Sequence, residues 1–94
     1  MLVYLKKHIL EEIDDANDYM RKAAEHKGTT CGETFMALAK METQHASALY
    51  KMFRNTAKPS SVSDKEYSDM LSEILNGYSD GMEKFEAYKK IYYE

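Results

Sequence analysis

The sequence contains few of the residues that interrupt helices or cross-link chains. It has one proline, four glycines and one cysteine, and it has no tryptophan. The scarcity of proline and glycine leaves room for long helices. Because a single cysteine cannot form an intramolecular disulfide, a disulfide framework is excluded and a reducing compartment is favoured.

Long apolar runs and a positive net charge are also lacking. The apolar residues at the N-terminus are followed at once by Lys6, Lys7 and His8, which is not typical of a signal peptide. Thirteen Lys and Arg face sixteen Asp and Glu, so the net charge is −3. A general basic surface for nucleic acid is therefore not expected. We expect a cytoplasmic protein with neither a nucleic-acid partner nor a membrane partner.

Length and hydropathy pattern indicate one small all-α domain over residues 1–94. Apolar residues recur at helical spacing in three segments, which predicts helices over residues 2–27, 31–54 and 64–93, with a linker over 55–63. The first two segments form an antiparallel hairpin. Gly77 and Gly81 leave open whether the third segment is one helix or two. A chain of 94 residues buries limited surface alone, so we expect it to oligomerise.

Local signals set the predicted ends of these segments. Gly28 favours a stop for the first helix. Thr30 with Glu33, and Ser63 with Glu66, have the spacing of capping boxes and predict the starts of the other two.

Charged residues interrupt the apolar stripes of the first two helices. The predicted stripe of the first helix is Leu5, Ile9, Glu12, Ala16, Tyr19, Ala23 and His26. That of the second helix is Cys31, Phe35, Leu38, Glu42, His45, Leu49 and Met52. Unpaired carboxylates on an apolar face are costly, so these positions need compensation by hydrogen bonds or by a cation.

Glu42 and His45 form a Glu-x-x-His pair that projects from one side of a helix. Di-metal helical bundles use two such pairs and two further Glu side chains. This chain offers half of that set, namely Glu12, Glu42 and His45, so two copies would complete it. Oxygen-rich ligands suit iron or manganese, and zinc also binds such ligands. The alternative is a metal-free polar network that fixes the register of the helices.

At these residues the sequence resembles the ferritin-like superfamily. Glu12 is followed seven residues later by Tyr19, and Phe35-x-x-Leu38-Ala39 leads to Glu42-x-x-His45. The closest resemblance is to two-helix half-ferritins, the encapsulated ferritins, and to the first half of rubrerythrins. It covers residues 5–53.

The resemblance implies dimerisation into a ferritin-like four-helix bundle with a di-iron centre shared between two subunits. Its ligands would be Glu12, Glu42 and His45, with two iron ions per dimer. Tyr19 would be a phenol next to the ligands, and Glu11 and Asp14 would lie near the path by which ions reach them. Encapsulated ferritins carry a tail that docks into a protein compartment, and no such tail is seen here.

Two functions follow as expectations. The first is a ferroxidase-type di-iron oxidoreductase that handles iron or peroxide, in a homodimer or a higher even oligomer. The second is a non-catalytic helical dimer that serves as an adaptor on a ferritin-like scaffold. Its protein partner would bind the tyrosine-rich C-terminal segment, although those tyrosines could equally pack back on the hairpin. The tyrosines concerned are Tyr67, Tyr78, Tyr88, Tyr92 and Tyr93.

Overall fold

The computed structural model describes all 94 residues as three helices and their connections. The helices are α1 (Leu2–Glu25), α2 (Thr30–Asn55) and α3 (Asp64–Tyr93). The predicted all-α class is confirmed, and α3 is continuous through both of its glycines. No helix combines the length and the apolar character that a membrane-spanning helix requires.

The helix ends follow local capping chemistry. After α1, Gly28 adopts a φ of +81°, a left-handed conformation that glycine tolerates. The N-cap of α2 is Thr29, whose hydroxyl accepts a hydrogen bond from the Gly32 amide, so the predicted capping box at Thr30 is wrong. At α3 the predicted capping box of Ser63 and Glu66 is confirmed.

Helix α1 lies between the other two helices. The short turn places α2 antiparallel to α1, whereas α3 runs parallel to α1 along its other flank. The direction of α3 is fixed by a hydrogen bond from the Asn17 amide to the Gly81 carbonyl and by an ion pair between Lys6 and Glu73. The backbones of α2 and α3 do not approach each other. They meet through side chains at one end, where the Phe53 and Tyr67 rings stack at 5.4 Å.

The core consists of two apolar clusters arranged along α1. The first cluster lies at the end where α2 leads into α3, and the second lies towards the α1–α2 turn. The first comprises Leu2, Leu5, Ile9, Ile13, Ala46, Phe53, Met70 and Ile74. The second comprises Ala16, Met20, Ala23, Met36, Ala39 and Phe85. No polar or charged residue is buried.

The predicted stripe of α2 is displaced by one residue. The residues that α2 buries are Gly32, Met36, Ala39, Ala46 and Phe53, each of which follows a residue of the predicted stripe. One residue corresponds to a rotation of about 100° around the helix. The predicted stripe is therefore a half-exposed flank of α2, and Cys31, expected to be buried, is exposed.

The tyrosines of α3 divide between core and surface. Tyr67 packs against the first cluster, and Tyr88 and Tyr92 pack against the second. Tyr78 and Tyr93 are exposed. Three of the five thus pack back on the hairpin.

Two glycines allow α3 to lie close to α1. A Cβ atom at Gly81 would stand 2.2 Å from Ile13 Cγ2, and one at Gly77 would stand 2.5 Å from Leu10 Cδ2. The neighbours differ, because Leu10 Cδ2 is the end of a flexible side chain whereas Ile13 is β-branched and stiff at χ1. Gly81 is also held by the Asn17 amide. The close parallel packing of α3 therefore depends on Gly81 more than on Gly77.

We expect Gly81→Ala to lower the free energy of unfolding by roughly 1–3 kcal/mol, since the added methyl group must displace Ile13. Gly77→Ala is the matched control. Both variants gain about 1 kcal/mol in helix propensity. At Gly77 this gain offsets a small rearrangement of Leu10, whereas at Gly81 it is outweighed by the displacement of the stiff Ile13 side chain. Urea denaturation followed by circular dichroism measures both. Greater stability of Gly81→Ala than of the wild type would contradict this account of the α1–α3 contact.

Candidate metal centre

Helices α1 and α2 bring three of the predicted residues together. Glu12 projects from the middle of α1, and Glu42 and His45 project from the facing part of α2. One ligand atom of each residue lies within 4.8 Å of those of the other two. The His45 Nδ1 atom is 3.6 Å from Glu12 Oε2 and 3.9 Å from Glu42 Oε1. Residues separated by thirty positions in the chain thus share one small site.

These distances are too long for hydrogen bonds, but they suit ligand atoms that coordinate the same metal ion. Good side-chain hydrogen bonds have donor–acceptor distances near 3 Å. Two ligand atoms that each lie about 2 Å from one metal ion are separated by about 3–4 Å. The distances from His45 to the two carboxylates fall in that range.

The carboxylates of the site are only partly exposed, and the His45 imidazole is their only nearby partner. The exposed fraction is 23% for the Glu12 side chain and 18% for Glu42, and it is 54% for His45. Glu12 Oε2 is buried and accepts no hydrogen bond. No lysine or arginine pairs with either carboxylate. In the single chain, Glu42 and His45 lie on a flank of α2 at the edge of the α1–α2 contact, and His45 is exposed there.

The other predicted residues lie outside this cluster. Tyr19 is two turns further along α1, about 10 Å from Glu12, and its ring packs on Phe35. Glu11 turns to His8, whose Nδ1 is 3.3 Å from Glu11 Oε2. Asp14 lines a shallow polar depression between α1 and α3. That position does not support a role for Asp14 on a path to Glu12.

Asn17 makes a partly buried polar contact that the sequence did not reveal. Its amide nitrogen donates to the carbonyls of Ile13 and Gly81, and its Oδ1 is buried without a partner. A polar residue within the α1 pattern was the only available signal, and it does not specify a partner sixty-four residues away. Asn17 joins α1 to α3 and lies away from the cluster of Glu12, Glu42 and His45.

We expect Glu12→Gln to stabilise the metal-free chain by up to about 1 kcal/mol, because two carboxylates that share one imidazole repel each other. Asp14→Asn is the matched control and is expected to change the free energy of unfolding by less than about 0.5 kcal/mol. Thermal and urea denaturation with EDTA present measure both variants. Clear destabilisation by Glu12→Gln alone would favour the metal-free polar network.

Comparison of the chain with protein-family models, curated proteins and solved structures finds no match.

Proposed function

We propose that this chain is a ferritin-like di-metal protein in which two copies share one metal centre. Each copy contributes Glu12, Glu42 and His45. Iron is the favoured metal, and oxidation of ferrous iron by dioxygen or peroxide is the favoured activity. The observation that carries the proposal is the convergence of these three side chains at distances suited to a shared ion.

The number of ligands supports a metal centre that is shared between two copies. Three side chains provide too few ligands to hold two ions, whereas a two-fold axis doubles them to four carboxylates and two imidazoles. The ligands project from one flank of the hairpin, and α3 packs on the other side of α1. A second hairpin can therefore approach the ligands without displacing α3.

The surface around the ligands supports the same pairing. On the α2 flank, Leu38 and Leu49 are half-buried, and Met41 and Met52 are exposed. Tyr4 is exposed on the corresponding flank of α1. Apolar groups grouped beside a polar site favour contact with a partner, since pairing removes them from water. In the pair, this flank of α2 would become part of the core of a four-helix bundle.

The ligand chemistry supports iron over softer metals. Carboxylates in excess over imidazoles suit iron and manganese, and zinc remains a competitor. When bound, a pair of iron ions supplies the redox chemistry. This chain's residues hold the ions on rigid helices and offset their positive charge with Glu12 and Glu42. The Tyr19 phenol lies on the same helix as Glu12, two turns away.

The adaptor function has less support. It needs an exposed tyrosine-rich surface on α3, yet Tyr67, Tyr88 and Tyr92 pack against the core clusters. The paired carboxylates of Glu12 and Glu42 also have no evident role in an adaptor. The metal function accounts for them directly.

We expect ferrous or manganous ion to raise the melting temperature by on the order of 10 °C at a hundredfold excess over the dissociation constant. That excess corresponds to about 2.7 kcal/mol, and each kcal/mol shifts a domain of this size by about 4–8 °C. Metal analysis is expected to find about one iron per chain. Light scattering is expected to show that metal increases the number of chains per particle.

Glu42→Ala is expected to remove the bound metal and the thermal shift while leaving helicity unchanged. Asp15→Ala, which removes an exposed carboxylate of the same helix as Glu12, is the matched control and is expected to keep both. Retention of metal by Glu42→Ala, or binding at full stoichiometry by a single chain, would reject the shared centre.

A further inference from the structure

A long groove lies on the side of the molecule opposite the metal ligands. It is bounded by α2 and α3, and α1 forms its floor through Ile9 and Ile13. Its volume is about 610 Å³. The groove is lined by none of the three proposed ligands, Glu12, Glu42 and His45. The groove is therefore a surface separate from the one used in the proposed metal centre.

The shape of the groove matches a helix. Its wall on α3 runs from Ile74 to Lys89, a length of about 22 Å. The groove is open along this length because α2 and α3 both pack on α1 and their backbones do not approach each other. The space between them is the one that a fourth helix fills in a four-helix bundle.

The wall on α3 carries exposed apolar side chains. Leu75 is 47% exposed and Tyr78 is 52% exposed, and Met82 continues the same wall at helical spacing. Leu75, Tyr78 and Met82 occupy positions i, i+3 and i+7, so they form one stripe. A stripe of this kind can both line a groove and insert into one.

The rim of the groove carries charges of both signs. Lys40 lies on the α2 wall, and Glu86 and Lys89 lie on the α3 wall. None of the three takes part in an ion pair within the chain. In a two-fold contact, if residue i of the first copy contacts residue j of the second, then residue j of the first copy also contacts residue i of the second. Because Lys40 on the α2 wall and Glu86 on the α3 wall have opposite signs, a two-fold contact can pair each of them with the other residue of the second copy.

We infer that the groove is occupied by a second copy of this chain. The α3 helix of each copy lies in the groove of the other, with its Leu75, Tyr78 and Met82 stripe against the apolar wall. Lys40 of each copy pairs with Glu86 of the other. The rim charges favour a second copy as the occupant. A strongly charged helix of a different protein would instead need a rim whose charges have a single sign.

The test measures the mass of the full chain by light scattering in EDTA, so that metal-dependent pairing does not contribute. The wild type is expected to have the mass of two chains. Lys40→Glu and Glu86→Lys each bring like charges together and are expected to halve the mass. The double variant Lys40→Glu/Glu86→Lys is expected to restore it. A single-chain mass for the wild type, unchanged mass in the single variants, or no recovery in the double variant would overturn the inference.

Two further variants separate the groove from other surfaces. Tyr78→Ser is expected to halve the mass, and Tyr93→Ser, which removes an exposed tyrosine outside the groove, is expected to leave it unchanged. Glu42→Ala is expected to keep the two-chain mass in EDTA. Loss of pairing in either Tyr93→Ser or Glu42→Ala would overturn the assignment of the contact to the groove. Circular dichroism verifies that every variant remains helical.

Discussion

Helix α1 must pack against two helices whose backbones do not approach each other. Its buried residues contact α2 and α3, and both core clusters combine residues of all three helices. Two features follow. The outer edge of the α1–α2 contact carries the polar cluster of Glu12, Glu42 and His45, and the space between α2 and α3 stays open as a groove. Both the proposed metal centre and the proposed second interface depend on the central position of α1.

The polar cluster is a local imbalance of charge. Two carboxylates share one imidazole, no lysine or arginine pairs with them, and the buried oxygen of Glu12 accepts no hydrogen bond. A site selected only for stability would fill this position with apolar side chains or complete the pairing. In the proposed centre, a divalent cation would supply the positive charge that is missing, and a second copy would supply the remaining ligands. This is the physical reason for preferring a metal centre to a structural network.

Because the chain is small, both proposed contacts between copies, at the metal centre and in the groove, are energetically reasonable. A three-helix chain of 94 residues leaves apolar surface on each side of α1, namely Met41 and Met52 beside the ligands and Leu75 and Tyr78 in the groove. Association removes these groups from water without any change of the helices. The two contacts use opposite sides of the hairpin and differ in their dependence on metal. As proposed, the first would be completed by ions, and the second by apolar packing and complementary charge.

Local patterns in the sequence determined the helix bounds to within about two residues. They also determined the capping box at Ser63 and the placement of Glu42 and His45 on one side of a helix. These depend only on near neighbours in the chain. The tertiary structure decided which side of α2 is buried, because Met36, Ala39 and Ala46 pack on α1 in place of the predicted stripe one residue before them. It also decided the parallel docking of α3, which depends on the fit of Gly81 against Ile13 and Asn17. Contacts between residues so distant in sequence leave no periodic signal, so they follow only from the packing of the complete chain.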